Sequence, residues 1–318
     1  MRGFFTGCAA ALAAGAALLI WPSAAAEGVR RALGVCGEVI IPSLFPFFVL
    51  GSALSALGLP QRLAAACSGG MSRLFGAPGA GAAALVMGLA GGYPLGAATA
   101  SQLVQSGAVT RAEGERLLGF CNNSGPAFLV GAAGAGVFGS ARAGLALYAA
   151  HILAALTAGL LMRGNGSGIM STCPSPPEPG RGVFVRAVTG SVGSVLRVCG
   201  FVVIFSALCS ALDAAGLFPR LCGALAARTG LELGAARALL TGFFEIGGGV
   251  SSLAGCAATR ANFALCALII GWGGLSVHMQ TAAAAAPAEL GMARHLCGRV
   301  LSAALSALYA AALFPAAF

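Results

Sequence analysis

The sequence predicts an all-α polytopic membrane protein, and three observations predict it. Of 318 residues, 58% are hydrophobic and only 8% charged, with a mean hydropathy of +0.91; a water-facing surface needs about a quarter of its residues charged. Apolar stretches recur at 4–22, 34–59, 78–105, 117–139, 143–162, 192–217, 234–258, 262–286 and 296–317, most of them separated by short Arg-bearing connectors. The chain also carries 49 Gly, and small residues at such density let helix backbones approach closely in lipid.

Each stretch has its own justification. Arg2, an apolar run from Phe4 to Trp21 and then Ala24-Ala25-Ala26 have the layout of a cleaved signal peptide, but the run is bilayer-length, so a retained first helix is expected over 1–33. In 34–59, Pro42 and Pro46 stand mid-segment in IIPSLFPFF, where a straight helix loses hydrogen bonds, so a re-entrant hairpin is expected. Segment 78–105 is interrupted by Gly88-Leu89-Ala90-Gly91-Gly92-Tyr93-Pro94-Leu95-Gly96, and 234–258 by Phe244-Glu245-Ile246-Gly247-Gly248-Gly249. Such breaks persist where they line a polar cavity, and a resumed half-helix offers free N–H groups and a positive dipole to an anion. The competing reading is that these glycines only permit tight helix crossings.

One connector is long and polar. It contains GNGSG and CPSPPEPG and divides the chain into a first repeat, 34–162, a cytoplasmic linker, 163–190, and a second repeat, 191–318. Val35-Cys36-Gly37 matches Val198-Cys199-Gly200, Ser52-Ala53-Leu54 matches Ser210-Ala211-Leu212, Gly88 with Gly91-Gly92 matches Gly242 with Gly247-Gly248-Gly249, and Cys121 to Ser124 falls opposite Gly271 to Gly274. The offsets drift one way, 163, 158, 154 and 150 (198−35, 210−52, 242−88 and 271−121). Ala/Gly-rich sequence produces chance matches, but an ordered set across a linker favours a repeat, and transporters place their site where inverted halves meet. If 34–59 and, by its correspondence, 192–217 are hairpins, the repeats come out inverted.

Charge is consistent with that topology. All 18 basic residues are Arg. With hairpins, one side collects Arg2, Arg111, Arg116, Arg163, Arg181, Arg186, Arg220, Arg228, Arg294 and Arg299, the other Arg30, Arg31, Arg62, Arg73, Arg142 and Arg260. The positive-inside rule then places the N-terminus and linker in the cytoplasm. No basic run interleaved with aromatics supports nucleic-acid binding. The 11 Cys form no CxxC pair or Cys/His cluster, so no metal or redox cofactor is expected. GxSxG, HExxH and Walker-type loops are missing, so an enzyme is not expected.

The candidate substrate-binding residues are Gly91, Gly92, Tyr93, Asn122, Asn123, Ser124, Gly247 and Gly248. The two adjacent amides and hydroxyl of Cys121-Asn122-Asn123-Ser124-Gly125-Pro126 are costly in lipid, although a helix cap explains them too. Glu245, the acid deepest in an apolar segment, is the candidate for ion or proton coupling, with Arg237 as its structural partner. His278, a lone membrane histidine, is a weaker candidate for the same role.

The runs GEVIIPSLFPFFVLGSALSALGLPQRL, LFGAPGAGAAALVMGLAGGYPLGA and RAEGERLLGFCNNSGPAFLVGAAGAGVF resemble the family of the sporulation integral membrane protein YlbJ, also called SpoVV, closely over about 34–162 and more loosely beyond. The resemblance implies a gate, or nucleoside-recognition, module similar to part of the concentrative nucleoside transporters. It also implies passage of dipicolinic acid from the mother cell across the outer forespore membrane. The expected partners are therefore a small anionic solute and the lipid bilayer, and a homo-oligomer is compatible with the sequence. Transport of a nucleoside, or a non-transporting scaffold for spore assembly, are the alternatives.

Overall fold

The computed structural model describes residues 2–164 and 182–318. Most of the expected linker, 165–181 including Arg181, lies outside the described residues. The described chain is all-helical, and five helical stretches are long and apolar enough to cross a membrane: Pro22–Ala56, Ala141–Leu161, Val183–Ala214, Arg260–Ala288 and Ala293–Ala317.

In the first half, α1 (Arg2–Ile20) precedes α2 (Pro22–Ala56), α3 (Leu59–Gly70), α4 (Gly81–Gly91), α5 (Leu95–Gln105), α6 (Arg111–Cys121), the π-helical α7 (Ala127–Val137) and α8 (Ala141–Leu161). The second half holds α9 (Val183–Ala214), α10 (Leu217–Thr229), α11 (Leu233–Phe244), α12 (Ile246–Ser251), α13 (Arg260–Trp272), α14 (Gly274–Ala285) and α15 (Ala293–Ala317). Helix α2 crosses the boundary drawn at 33/34, and α9 begins inside the stretch read as linker.

The hairpins expected within 34–59 and 192–217 are not formed: both stretches run as continuous helix inside α2 and α9. Proline is absorbed locally. Helix α2 widens into a π-turn over Cys36–Ile40 just before Pro42, and the Ser43 hydroxyl donates to the Val39 carbonyl at 2.6 Å. Such π adjustments and hydroxyls re-satisfy the carbonyls that a proline leaves without a donor. The doubling back comes instead from α4 and α5, which pack against each other across a break at 92–94, and from α11 and α12 across Glu245.

Small residues set the packing. A Cβ on Gly88 or Gly96 would run into the Cys121 carbonyl, on Gly298 into the backbone of Gly119, and on Gly271 into that of Ser302 and Ala303. The crossing role is therefore real for Gly88, whereas Gly92 is needed for its φ of +82° in the break. The closeness of α15 to α6 and α13 brings one face of α15 between the ends of those helices. Two large apolar clusters fill the interior, one around Phe75, Leu117 and Phe120, the other around Leu147, Phe263 and Ile270. Helices α2 and α9 share only two small clusters, Ala32 with Cys36, Cys199 and Val202, and Phe48 with Val195 and Val198. Between them and the rest lies a cavity.

Candidate functional site

The cavity has a volume of about 550 Å³. Its walls bring together residues that the sequence keeps some 150 positions apart: Gly91, Gly92 and Tyr93 of the first break, Ser124 of the segment between α6 and α7, and Glu245, Gly247 and Gly248 of the second. Seven of the ten candidate residues thus share one space.

The two breaks are built differently. At the first, α4 ends at Gly91, Gly92 takes a positive φ, Tyr93–Pro94 is cis, and α5 resumes at Leu95. Tyr93 is buried; its hydroxyl donates to the Ile270 carbonyl at 3.1 Å and accepts from Arg299 at 3.0 Å. At the second, Glu245 caps α12: its carboxylate accepts from the N–H groups of Gly247 at 2.7 Å and Gly248 at 2.5 Å. The free N–H groups expected there are accordingly already taken. A carboxylate at a helix N-terminus is favoured by both the bonds and the dipole. Arg237 does not partner Glu245; it pairs with Asp213 at 3.0 Å.

Asn122 and Asn123 are fully buried and lie off the cavity wall. Asn122 donates to the Thr281 hydroxyl at 2.7 Å and accepts from the Ala97 N–H at 3.3 Å, joining α5 to α14. Asn123 donates to the Phe120 carbonyl at 2.8 Å, in the last turn of α6, and accepts from Arg299 at 3.4 Å. Neighbouring Ser124 has its N–H bonded to His151 at 3.1 Å. His278 is not alone: its Nδ1 lies 3.0 Å from Nε2 of His295, whose Nδ1 faces the Leu118 carbonyl at 3.2 Å. A carbonyl only accepts, so His295 carries its proton on Nδ1 and takes the His278 Nδ1–H on Nε2. That leaves the His278 Nε2 lone pair buried and free, on a ring packed T-shaped with Trp272.

Arg299, counted above among the arginines of the cytoplasmic side, is the largest fully buried side chain among the described residues. Its guanidinium donates to the Tyr93 hydroxyl, Asn123 Oδ1, the Ser302 hydroxyl at 3.1 Å and the Gly271 carbonyl at 3.5 Å. Gly271 lies in the last turn of α13, Tyr93 just past the end of α4, and Asn123 just past the end of α6. Three helix C-termini, each worth roughly half a negative charge, therefore surround one cation. Sequence reading missed it because it stands early in the segment 296–317, where a cation reads as interfacial. The signal was the spacing: His295, Arg299, Ser302 and Ser306 follow the i, i+4, i+7, i+11 pattern of one helix face, and all four are buried. Gln280, which lines the cavity with an unpartnered buried oxygen, was likewise not among the candidates.

The sporulation integral membrane protein YlbJ of Bacillus subtilis (strain 168) is 30% identical to this chain over 326 aligned positions, covering 92% of the chain and 78% of the relative. The chain belongs to the YlbJ family. It is thus a sporulation-associated integral membrane protein, and the YlbJ alignment spans both breaks and both halves. No protein-family model matches the chain, and no solved structure matches it.

Proposed function

We propose that the chain carries a small polar anion, dipicolinic acid, from mother cell to forespore across the outer forespore membrane, using the cavity between the two breaks as its solute site. The observation that carries this reading is the convergence of two interrupted backbones on one space of about 550 Å³ inside an apolar helical body. Interrupted backbone at membrane depth is tolerated where it is buried in protein or lines a wet cavity. The volume suits a single small solute.

An inverted repeat is part of this reading. Cys36 and Cys199, matched in the sequence, meet in one small buried cluster. Gly28 lies against Ser206 and Ser210 on one side of this point, and Phe48 packs with Val195 and Val198 on the other, so α2 and α9 run antiparallel. In a two-fold arrangement, residues on the axis touch their own counterparts. An axis crossing antiparallel membrane helices lies in the membrane plane, which is the inverted case. Counting agrees when the re-entrant hairpins are read as α4–α5 and α11–α12. Each helix of α4–α5 has 11 residues, about 16 Å against a core of about 30 Å. With α2, α6–α7 and α8 as the crossings, α9 starts opposite to α2.

Glu245 and His278 are assigned the coupling to a proton or cation, Glu245 because it faces the cavity and His278 because of its free lone pair. Uptake of dipicolinate into proteoliposomes, with and without a proton gradient, tests the proposal. Gradient-driven uptake that Glu245→Gln uncouples is the expected result. Uptake of nucleosides in preference to dipicolinate would replace the solute, and no uptake of either would favour a scaffold.

A further inference from the structure

We propose that Arg299 is a specificity-determining residue: a permanent, unscreened cation behind the cavity wall that makes the site prefer a doubly charged anion over neutral or singly charged solutes of the same shape. The inference rests on the solute site proposed above and adds what selects the solute.

A guanidinium stays protonated under all ordinary conditions. Among the described residues none of the ion pairs involves Arg299, and its four partners are a phenol, an amide oxygen, a hydroxyl and a peptide carbonyl. All four are neutral. They satisfy hydrogen bonds on both terminal nitrogens but leave the net charge in place, while Nε has no partner. Isolating a charge this way costs several kcal/mol in a low-dielectric interior, so a purely architectural role is poorly served by it. Partial charges on three helix ends offset the cost, but each belongs to a dipole with no net charge, so the guanidinium's full unit charge stays without a counter-ion. The field reaches the solute space through Tyr93, which lines the cavity and whose ring lies 5.9 Å from the guanidinium carbon. Arg31 and Arg237 also border the cavity, but both are exposed and paired, Arg31 with Glu27 and Arg237 with Asp213. Their fields are quenched by partners and by salt.

This separation defines the experiment. The probes are pyridine-2,6-dicarboxylate, its monoamide and its diamide, which keep one ring and carry two, one and no negative charges. Binding of each to the purified full chain is measured from low to high ionic strength. The expected preference for the dianion is at least about tenfold over the diamide and persists at high salt, because a buried charge is not screened. Arg299→Gln should abolish the preference and Arg299→Lys restore part of it, whereas Arg31→Gln should leave it intact. A preference that vanishes with salt, or with Arg31→Gln, overturns the assignment, and so does one that survives in a folded Arg299→Gln protein. If the variant does not fold, the salt series on the unaltered chain decides alone. A charge preference without any dipicolinate uptake would refute the proposed solute but keep Arg299; uptake without charge preference would do the reverse.

Discussion

The two breaks border one cavity but are closed by groups of opposite charge. At Gly92–Pro94 the backbone gap is backed by a cation, Arg299, brought from the other half. At Glu245–Gly248 the gap is sealed by an anion from its own sequence, which takes the N–H groups of the resumed helix. A local acid can cap the break beside it, because two or three residues of separation suffice for a side chain to reach the next N–H groups. Helix C-termini expose carbonyls, which need donors: the Leu89 carbonyl in the last turn of α4 accepts from the Tyr148 hydroxyl, while Arg299 reaches the break through the Tyr93 hydroxyl, 206 positions away.

That asymmetry can be broken from either side. The largest effect is expected from Gly298→Val, whose side chain would meet the backbone of Gly119 and push α15, with Arg299, off the first break. Overpacking of this kind costs about 1–3 kcal/mol or more, so the monodisperse peak in detergent should shrink markedly. Next comes Asn122→Ala, which strands the buried Ala97 N–H at about 1–3 kcal/mol, while the Thr281 hydroxyl keeps its bond to the Val277 carbonyl. Its thermal unfolding should drop while the KM of any remaining uptake stays close to the unaltered protein's, since the side chain lies off the cavity wall. Glu245→Ala should cost about 1 kcal/mol as a lost cap and bare the N–H groups of Gly247 and Gly248 to the cavity. Its dianion affinity should therefore rise, and a fall measured by the same binding assay would mean that the acid helps to hold the solute. The smallest change is Cys36→Ser, near neutral in stability. Mild oxidation of the unaltered chain should link Cys36 to Cys199 in a peptide visible by mass spectrometry, and the variant should lose it; a link between other cysteines would displace the crossing of α2 and α9.

Much of this was legible early, and the failures share a cause. Gly91-Gly92-Tyr93-Pro94 and Phe244-Glu245-Ile246-Gly247 read as breaks because glycine and proline act on their own backbone. The prolines of IIPSLFPFF misled for the same reason in reverse: whether a proline ends a helix depends on how the backbone around it adjusts, and here the helix widens into a π-turn over Cys36–Ile40 and runs on to Ala56. Asn122 and Asn123 were read correctly as polar groups shielded from lipid, but what shields them is Ala97, Thr281, Phe120 and Arg299 rather than the solute space.

By itself the sequence determined the solvent, the helical class and the sites of interruption, all of which follow from composition and from residues acting within a turn or two of themselves. The tertiary structure decided which interruptions meet, that the second caps itself, and that Arg299 faces inward. A periodic pattern states that His295, Arg299, Ser302 and Ser306 share a helix face, but the partner of that face is chosen by how closely backbones can approach elsewhere, at Gly119, Gly271 and Gly298, and no local rule carries that information.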